Sequence, residues 1–201
     1  METTEKIVES YVRYVRGWAT IPNIKCPGQY EIDLLAIDPV NLNRYHIESG
    51  VSISGSHSKL TAKPFSEQKL KIRVETAVQR RTIGYFIERK FGAKPVLETL
   101  KRYGFHPGKY TKVIVSWGWE EGVEDEAERQ GIQLWDFRDI LKEIATSFEK
   151  KRVYFTDDTL RTLQLFSLSL VYTQITSQKI PRGRYTAHSR DSSDHHQICV
   201  T

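Results

Sequence analysis

Cysteine and methionine are nearly missing from this chain of 201 residues, which has two of the first and one of the second. Cys26 and Cys199 are far apart in sequence, so neither a disulfide framework nor thiolate metal ligation is expected, and a reducing compartment follows. Long apolar runs are missing too. The most apolar late stretch, Leu163 to Val171, is too short and too polar to span a bilayer, so no membrane partner is expected. The opening METTEKIVES has no basic segment followed by an apolar one, and a cytoplasmic protein without a signal peptide is expected. Internal repeats are absent, which excludes solenoids and propellers.

What is present is an ordinary globular balance, 39% hydrophobic and 27% charged, enough for one cored domain with an appendage. The net charge of +5 hides a strong segregation. Between Lys59 and Lys112, fourteen Lys and Arg face four acids, a local +10. Between Ser116 and Glu149, ten acids face three bases, a local −7. A basic middle of this kind suits a phosphate backbone, with Lys63, Lys69, Lys71, Arg73, Arg80 and Arg81 as candidate nucleic-acid contacts. A solvated helix surface would have the same composition.

Ile7, Val8, Tyr11, Val12 and Val15 recur at helical spacing and predict a helix over 3–16, capped by Thr4 and stopped by Gly17. Strands are expected over 18–25, 30–37 and 44–53, joined by the turns CPGQ and DPVNLN. A long basic helix follows over 66–91, with a break near Gly84, and then a short helix over 95–103. A buried-type strand is expected over 109–117, an acidic helix over 120–130, a strand over 132–135, and a helix that Asp136 caps, running to about 148. The organisation expected is an α/β domain over 1–150 with a mixed sheet that includes a three-strand antiparallel meander, a helical extension over 151–176, and a flexible tail over 177–201. The tail's His188, His195 and His196 are metal-ligand types, but a disordered tail is the better account of them.

The second hairpin holds the chemistry. A turn centred between Val40 and Asn41 places Asp33 directly opposite Glu48, with Cβ atoms roughly 4.5–5.5 Å apart. Alternation then puts Glu31, Asp33, His46, Glu48 and Gly50 on one face and Ile32, Leu34, Ile47 and Val51 on a buried one. Opposed carboxylates repel unless a cation or proton lies between them. Mg²⁺ or Mn²⁺ takes oxygen ligands, and one or two carboxylates with a substrate phosphate suffice to hold it.

EIDLLAID, a turn, and YHIESG resemble the core of the PD-(D/E)xK nuclease superfamily, which has the restriction-endonuclease-like fold. KVIVSWGWEEGVEDEAERQGIQLWDFRDILKEI is similar to the second half of type IV, modification-dependent restriction endonucleases. The resemblance covers about residues 5–148. It implies a metal-dependent endonuclease that hydrolyses DNA phosphodiesters, with Asp33 and Glu48 as metal ligands and Glu9 assisting from the first helix. Members often dimerise to cut both strands, so the resemblance also admits a homodimer. Gly50 stands where the motif has its lysine. Three explanations are open: the lysine has migrated, with Lys25 as the candidate; His46 takes part in proton transfer; or the site is inactive and the fold binds nucleic acid or a protein without cutting.

Overall fold

Five strands form a single mixed sheet in the order β1-β2-β3-β4-β5: β1 Ala19–Cys26, β2 Tyr30–Ile37, β3 Arg44–Ser49, β4 Thr111–Ser116 and β5 Ile132–Asp136. This is a computed structural model; it describes residues 2–52, 59–150 and 155–179, without the side chains of 149–150 and 170–179. The first three strands are an antiparallel meander, as short strands joined by tight turns dictate. The β3–β4 and β4–β5 pairs are parallel and need helical crossovers. The first crossover holds α2 Glu67–Leu70, α3 Arg73–Gln79, α4 Ile83–Tyr85 with a π-helical turn Phe86–Phe91, and α5 Lys94–Arg102; the second is α6 Val123–Arg129.

Each face of the sheet is covered by helices. On one, Leu34, Ile47, Val113 and Val115 pack against α1 Thr3–Ser10 with its π-helical turn Tyr11–Val15, α7 Phe137–Lys150 and α8 Asp158–Lys179. On the other, Ile114 packs with Phe86, Phe91 and Ile132, and Leu35 packs with Val96 and Leu100 of α5. On the acidic face of the hairpin Asp33, His46 and Glu48 are therefore buried, and Glu31 is part-exposed.

Several sequence expectations need correction. The long basic helix is three short helices and a π-helical turn; Ile72 and Thr82, both in extended backbone, each begin a new helix and interrupt it before Gly84. The N-cap of α1 is Glu2 in place of Thr4, in a capping box whose Glu5 carboxylate accepts the Glu2 N–H at 2.9 Å. Ile32, expected beside Leu34, joins Leu35 in the α5 cluster. The β1–β2 ladder skips Asn23 and Asp33, and Asn23 has φ of 56°, so the pleat is interrupted where the acid sits. Cys26 is buried and free of a disulfide. The tail histidines and Cys199 lie outside the described residues.

Candidate functional site

The β2–β3 ladder pairs Leu34 with Ile47, the register that sets Asp33 opposite Glu48. Beyond that pair, side chains replace the ladder. Asp33 N–H donates to Glu48 Oε1 at 3.4 Å, and Ser49 N–H donates to Asp33 Oδ2 at 2.8 Å. The backbone thereby fixes both carboxylates, each more than nine-tenths buried.

Sequence reasoning missed the group that completes the cluster. Lys90 Nζ lies 2.8 Å from Asp33 Oδ1 and 2.6 Å from Glu48 Oε2, joining the two acids through one ammonium. It comes from the π-helical turn, one turn beyond Phe86 on the same helical face. The geometry also accounts for Gly50. A Cβ there would stand 2.5 Å from Phe86 Cζ, so any side chain at position 50 collides with a buried ring. Gly50→Ala is expected to cost about 1–3 kcal/mol through overpacking. In Gly50→Ala/Phe86→Leu the two changes should couple favourably, because the shorter side chain vacates the contact. Urea denaturation of the four proteins measures this; strictly additive losses would contradict the close packing.

The cluster opens onto a cavity of about 240 Å³ whose wall includes Asp33, Lys90, Glu5, Glu31, Arg80 and Arg81. Of the residues singled out in the sequence, Asp33, Arg80 and Arg81 line this cavity, and Glu48 lies behind Asp33 and Lys90. Lys63 lines a different depression, of about 440 Å³. Lys69, Lys71 and Arg73 are exposed on α2 and α3, away from the cavity wall.

Glu9, Lys25 and His46 stand elsewhere than expected. Glu9 is turned toward its own helix, with Lys6 Nζ at 2.7 Å and Arg13 Nη1 at 4.0 Å, and Lys6 in turn reaches Asp157 ahead of α8. The α1 carboxylate that faces the cavity is Glu5, one turn earlier. Lys25 is exposed and pairs with Glu31 across the β1–β2 hairpin, off the cavity. His46 is wholly buried beneath Glu48, with Nε2 2.6 Å from Oε1 and its ring edge-on to Phe91 at 4.9 Å. Burial pulls the His46 pKa down to about 3, so the neutral imidazole donates to Glu48 and is shielded from any substrate. Its place is that of an orienting group, not a proton shuttle.

Burial, and then the adjacent Glu48 charge, push the Asp33 carboxyl up to about 7 against the pull of Lys90. Burial raises Glu48 as well. For Lys90, burial disfavours the ammonium, but Glu48 and Asp33 outweigh it and hold the amine protonated. Two carboxylates thus share one ammonium, an excess of negative charge that a proton or a further cation relieves.

The signs differ for stability. Asp33 titrates higher in the folded than in the unfolded chain, so its contribution falls as pH rises from about 4 to about 7. His46 titrates lower when folded, so its contribution rises with pH between about 3 and 6.5. Asp33→Asn removes the first and leaves the second. Its unfolding free energy should therefore climb more steeply with pH over this window than that of the wild type. Urea titrations at half-unit steps measure the slopes; parallel slopes would contradict the assignment.

No family model matches this chain, and neither a curated protein nor a solved structure is similar to it at a significant level.

Proposed function

We propose that the protein is a metal-dependent nuclease that hydrolyses DNA phosphodiesters, on a restriction-endonuclease-like core of the PD-(D/E)xK kind. The observation that carries this is the Lys90 ammonium bridging Asp33 and Glu48 at the wall of a polar cavity. Two acids and a lysine is the composition of that superfamily's motif. Here the lysine comes from a helix rather than from the strand position that Gly50 occupies.

The donor set suits a hard cation such as Mg²⁺ or Mn²⁺: carboxylate oxygens, an uncompensated charge, and Glu5 in the same cavity, its own pKa raised by burial. Asp33 and Glu48 would hold the ion, with Glu5 assisting in the role first expected of Glu9. When bound, it lowers the pKa of a coordinated water and offsets phosphate charge. Lys90 then supplies a fixed positive charge beside the reacting phosphate, a preorganised stabilisation typical of hydrolytic sites. His46 holds Glu48 in place through the 2.6 Å hydrogen bond. The fold presents Arg80 and Arg81 on the cavity wall, where guanidinium groups attract a polyanion with a steep salt dependence.

The test is hydrolysis of supercoiled and linear DNA with Mg²⁺ or Mn²⁺ by the wild type, Asp33→Ala and Glu48→Ala. Divalent-dependent cutting lost in both variants supports the proposal. Intact DNA under all conditions, with salt-sensitive binding, sinks it in favour of a second reading, a nuclease-like fold that binds without cutting. One observation favours that alternative: among the described residues no three metal-ligating side chains are grouped, and Lys90 already partners both acids.

A further inference from the structure

Of the four cations on the cavity wall, two are committed to carboxylates. Lys90 is held by Asp33 and Glu48. Arg89 donates to Tyr30 Oη at 2.6 Å and to Glu67 Oε1 at 2.9 Å, with its guanidinium 4.3 Å from the Tyr30 ring centre. Arg81 differs. It is half-buried, and among the described residues no carboxylate lies within ion-pair distance of it. Among the described residues its hydrogen bond is one long contact, Nη2 to Val51 O at 3.5 Å. Its Nη1 lies 3.4 Å from where a Gly50 Cβ would stand, so the missing side chain that admits Phe86 also leaves room for this guanidinium. Arg80, next in the chain, is exposed and likewise without a carboxylate partner among the described residues.

Glu2, on the same cavity wall, acts on Arg81 from beyond contact distance, and a partly desolvated guanidinium with no carboxylate in contact is costly unless an anion supplies the missing acceptors. Its planar fork of donors matches two oxygens of a phosphate group, which a lysine's point charge does not. The cavity, with Asp33 and Lys90 on the same wall, sets any such anion beside the cluster of acids.

We infer that Arg81, with Arg80 beside it, forms a dedicated phosphate subsite over Gly50 that binds a phosphate of a nucleic-acid strand independently of any divalent cation. The inference rests on the hydrolytic reading for its substrate class, and it divides the charge: Lys90 serves the carboxylates, Arg81 the phosphate. It also narrows the basic segment, because Lys63, Lys69, Lys71 and Arg73 stand outside this subsite.

The test is fluorescence anisotropy of a labelled twelve-nucleotide single strand, with and without a 5′-phosphate, in EDTA. Arg81→Gln should weaken binding by at least ~10-fold, the loss of a charge-assisted contact. Arg81→Lys, which keeps the charge but not the fork, should recover only part of it. Lys101→Gln, exposed on α5, should stay within about 2-fold of wild type. A loss seen with both strands assigns the subsite to an internal diester, and a loss confined to the phosphorylated strand assigns it to a terminal phosphate; either supports the inference. As a second readout, inorganic phosphate should raise the thermal midpoint of the wild type more than that of Arg81→Lys, which keeps the inference testable if Arg81→Gln does not fold. Wild-type affinity in both Arg81 variants, or equal phosphate stabilisation of wild type and Arg81→Lys, overturns it. Because EDTA removes turnover, strand binding through Arg81 without cutting in Mg²⁺ or Mn²⁺ sinks only the nuclease reading. Cutting with affinity that ignores Arg81 sinks only the subsite.

Discussion

Lys90→Met is expected to destabilise the protein by about 3–5 kcal/mol at pH 8, because it leaves two buried carboxylates facing each other without a cation. The side chains of Asp33 and Glu48 are 6% and 0% exposed, so water from the cavity replaces little of the ammonium's stabilisation. Neither can the neighbours. The nearest other contacts are the Ser49 N–H on Asp33, and the neutral His46 and the Asp33 N–H on Glu48, all of them uncharged donors. Part of the loss should return below about pH 6, where a shared proton replaces the lost charge. Replacing all three groups together, as Asp33→Asn/Glu48→Gln/Lys90→Met, should be far less damaging than Lys90→Met alone, because no buried net charge remains. Chemical denaturation of the three proteins at pH 5.5 and 8 measures this. A loss under about 1 kcal/mol, insensitive to pH, would mean that the cluster is hydrated and weak.

Glu48→Gln should do the opposite: keep the fold and lose the chemistry. Asp33 and Lys90 then remain as a balanced pair at 2.8 Å. The new amide can accept from Lys90 and donate to His46, whose other ring nitrogen has no partner among the described residues and can take the proton. The proposed hydrolysis depends on the charge that is gone, and a loss of about 10²–10³-fold is expected from removing one electrostatic element of such a site. The measurement is single-turnover cutting of plasmid DNA at saturating Mn²⁺, beside a thermal midpoint. Retained activity would place the reacting phosphate elsewhere; collapse of the fold would make Glu48 structural.

Much of this frame was legible in the sequence. Tyr30–Ile37 is the second strand as patterned, and the turn centre at 40–41 sets the register that opposes Asp33 and Glu48. Those depend on local rules: turn residues and an alternation of period two. Lys90 depends on a crossover far away in sequence, and it was one of fourteen bases in its segment. A signal existed nonetheless. Ile83, Phe86, Ile87 and Lys90 fall at i, i+3, i+4 and i+7, so a lone lysine occupies the apolar stripe of a helix, where a charge is costly unless it is paired. Lys25 was preferred because it was adjacent across a hairpin, but adjacency in the sheet does not decide the face. It pairs with Glu31 at the rim, and Lys25 itself does not line the cavity. Glu5 and Glu9 stand one turn apart on α1, and the sequence offers no means to choose between them. Their neighbours decide: Lys6 and Arg13 turn Glu9 away, while Glu5 lines the cavity. The basic segment was read as one surface, but its helices are too short and too broken to carry one, and only Arg80 and Arg81 of the six candidate nucleic-acid contacts reach the cavity.

Whether the acids and Lys90 form a working centre or a buried ion pair turns on cation binding. Titrating Mn²⁺ into the wild type, Asp33→Asn and Lys90→Met, with free ion followed by electron paramagnetic resonance, decides between them. In a working centre the wild type binds the ion, Asp33→Asn binds it at least ~30-fold more weakly for want of a carboxylate ligand, and Lys90→Met binds it no more weakly than the wild type, because the competing ammonium is gone. Absence of binding in the wild type, or equal binding in Asp33→Asn, would contradict the metal-centre account and leave Asp33, Glu48 and Lys90 as an internal salt bridge.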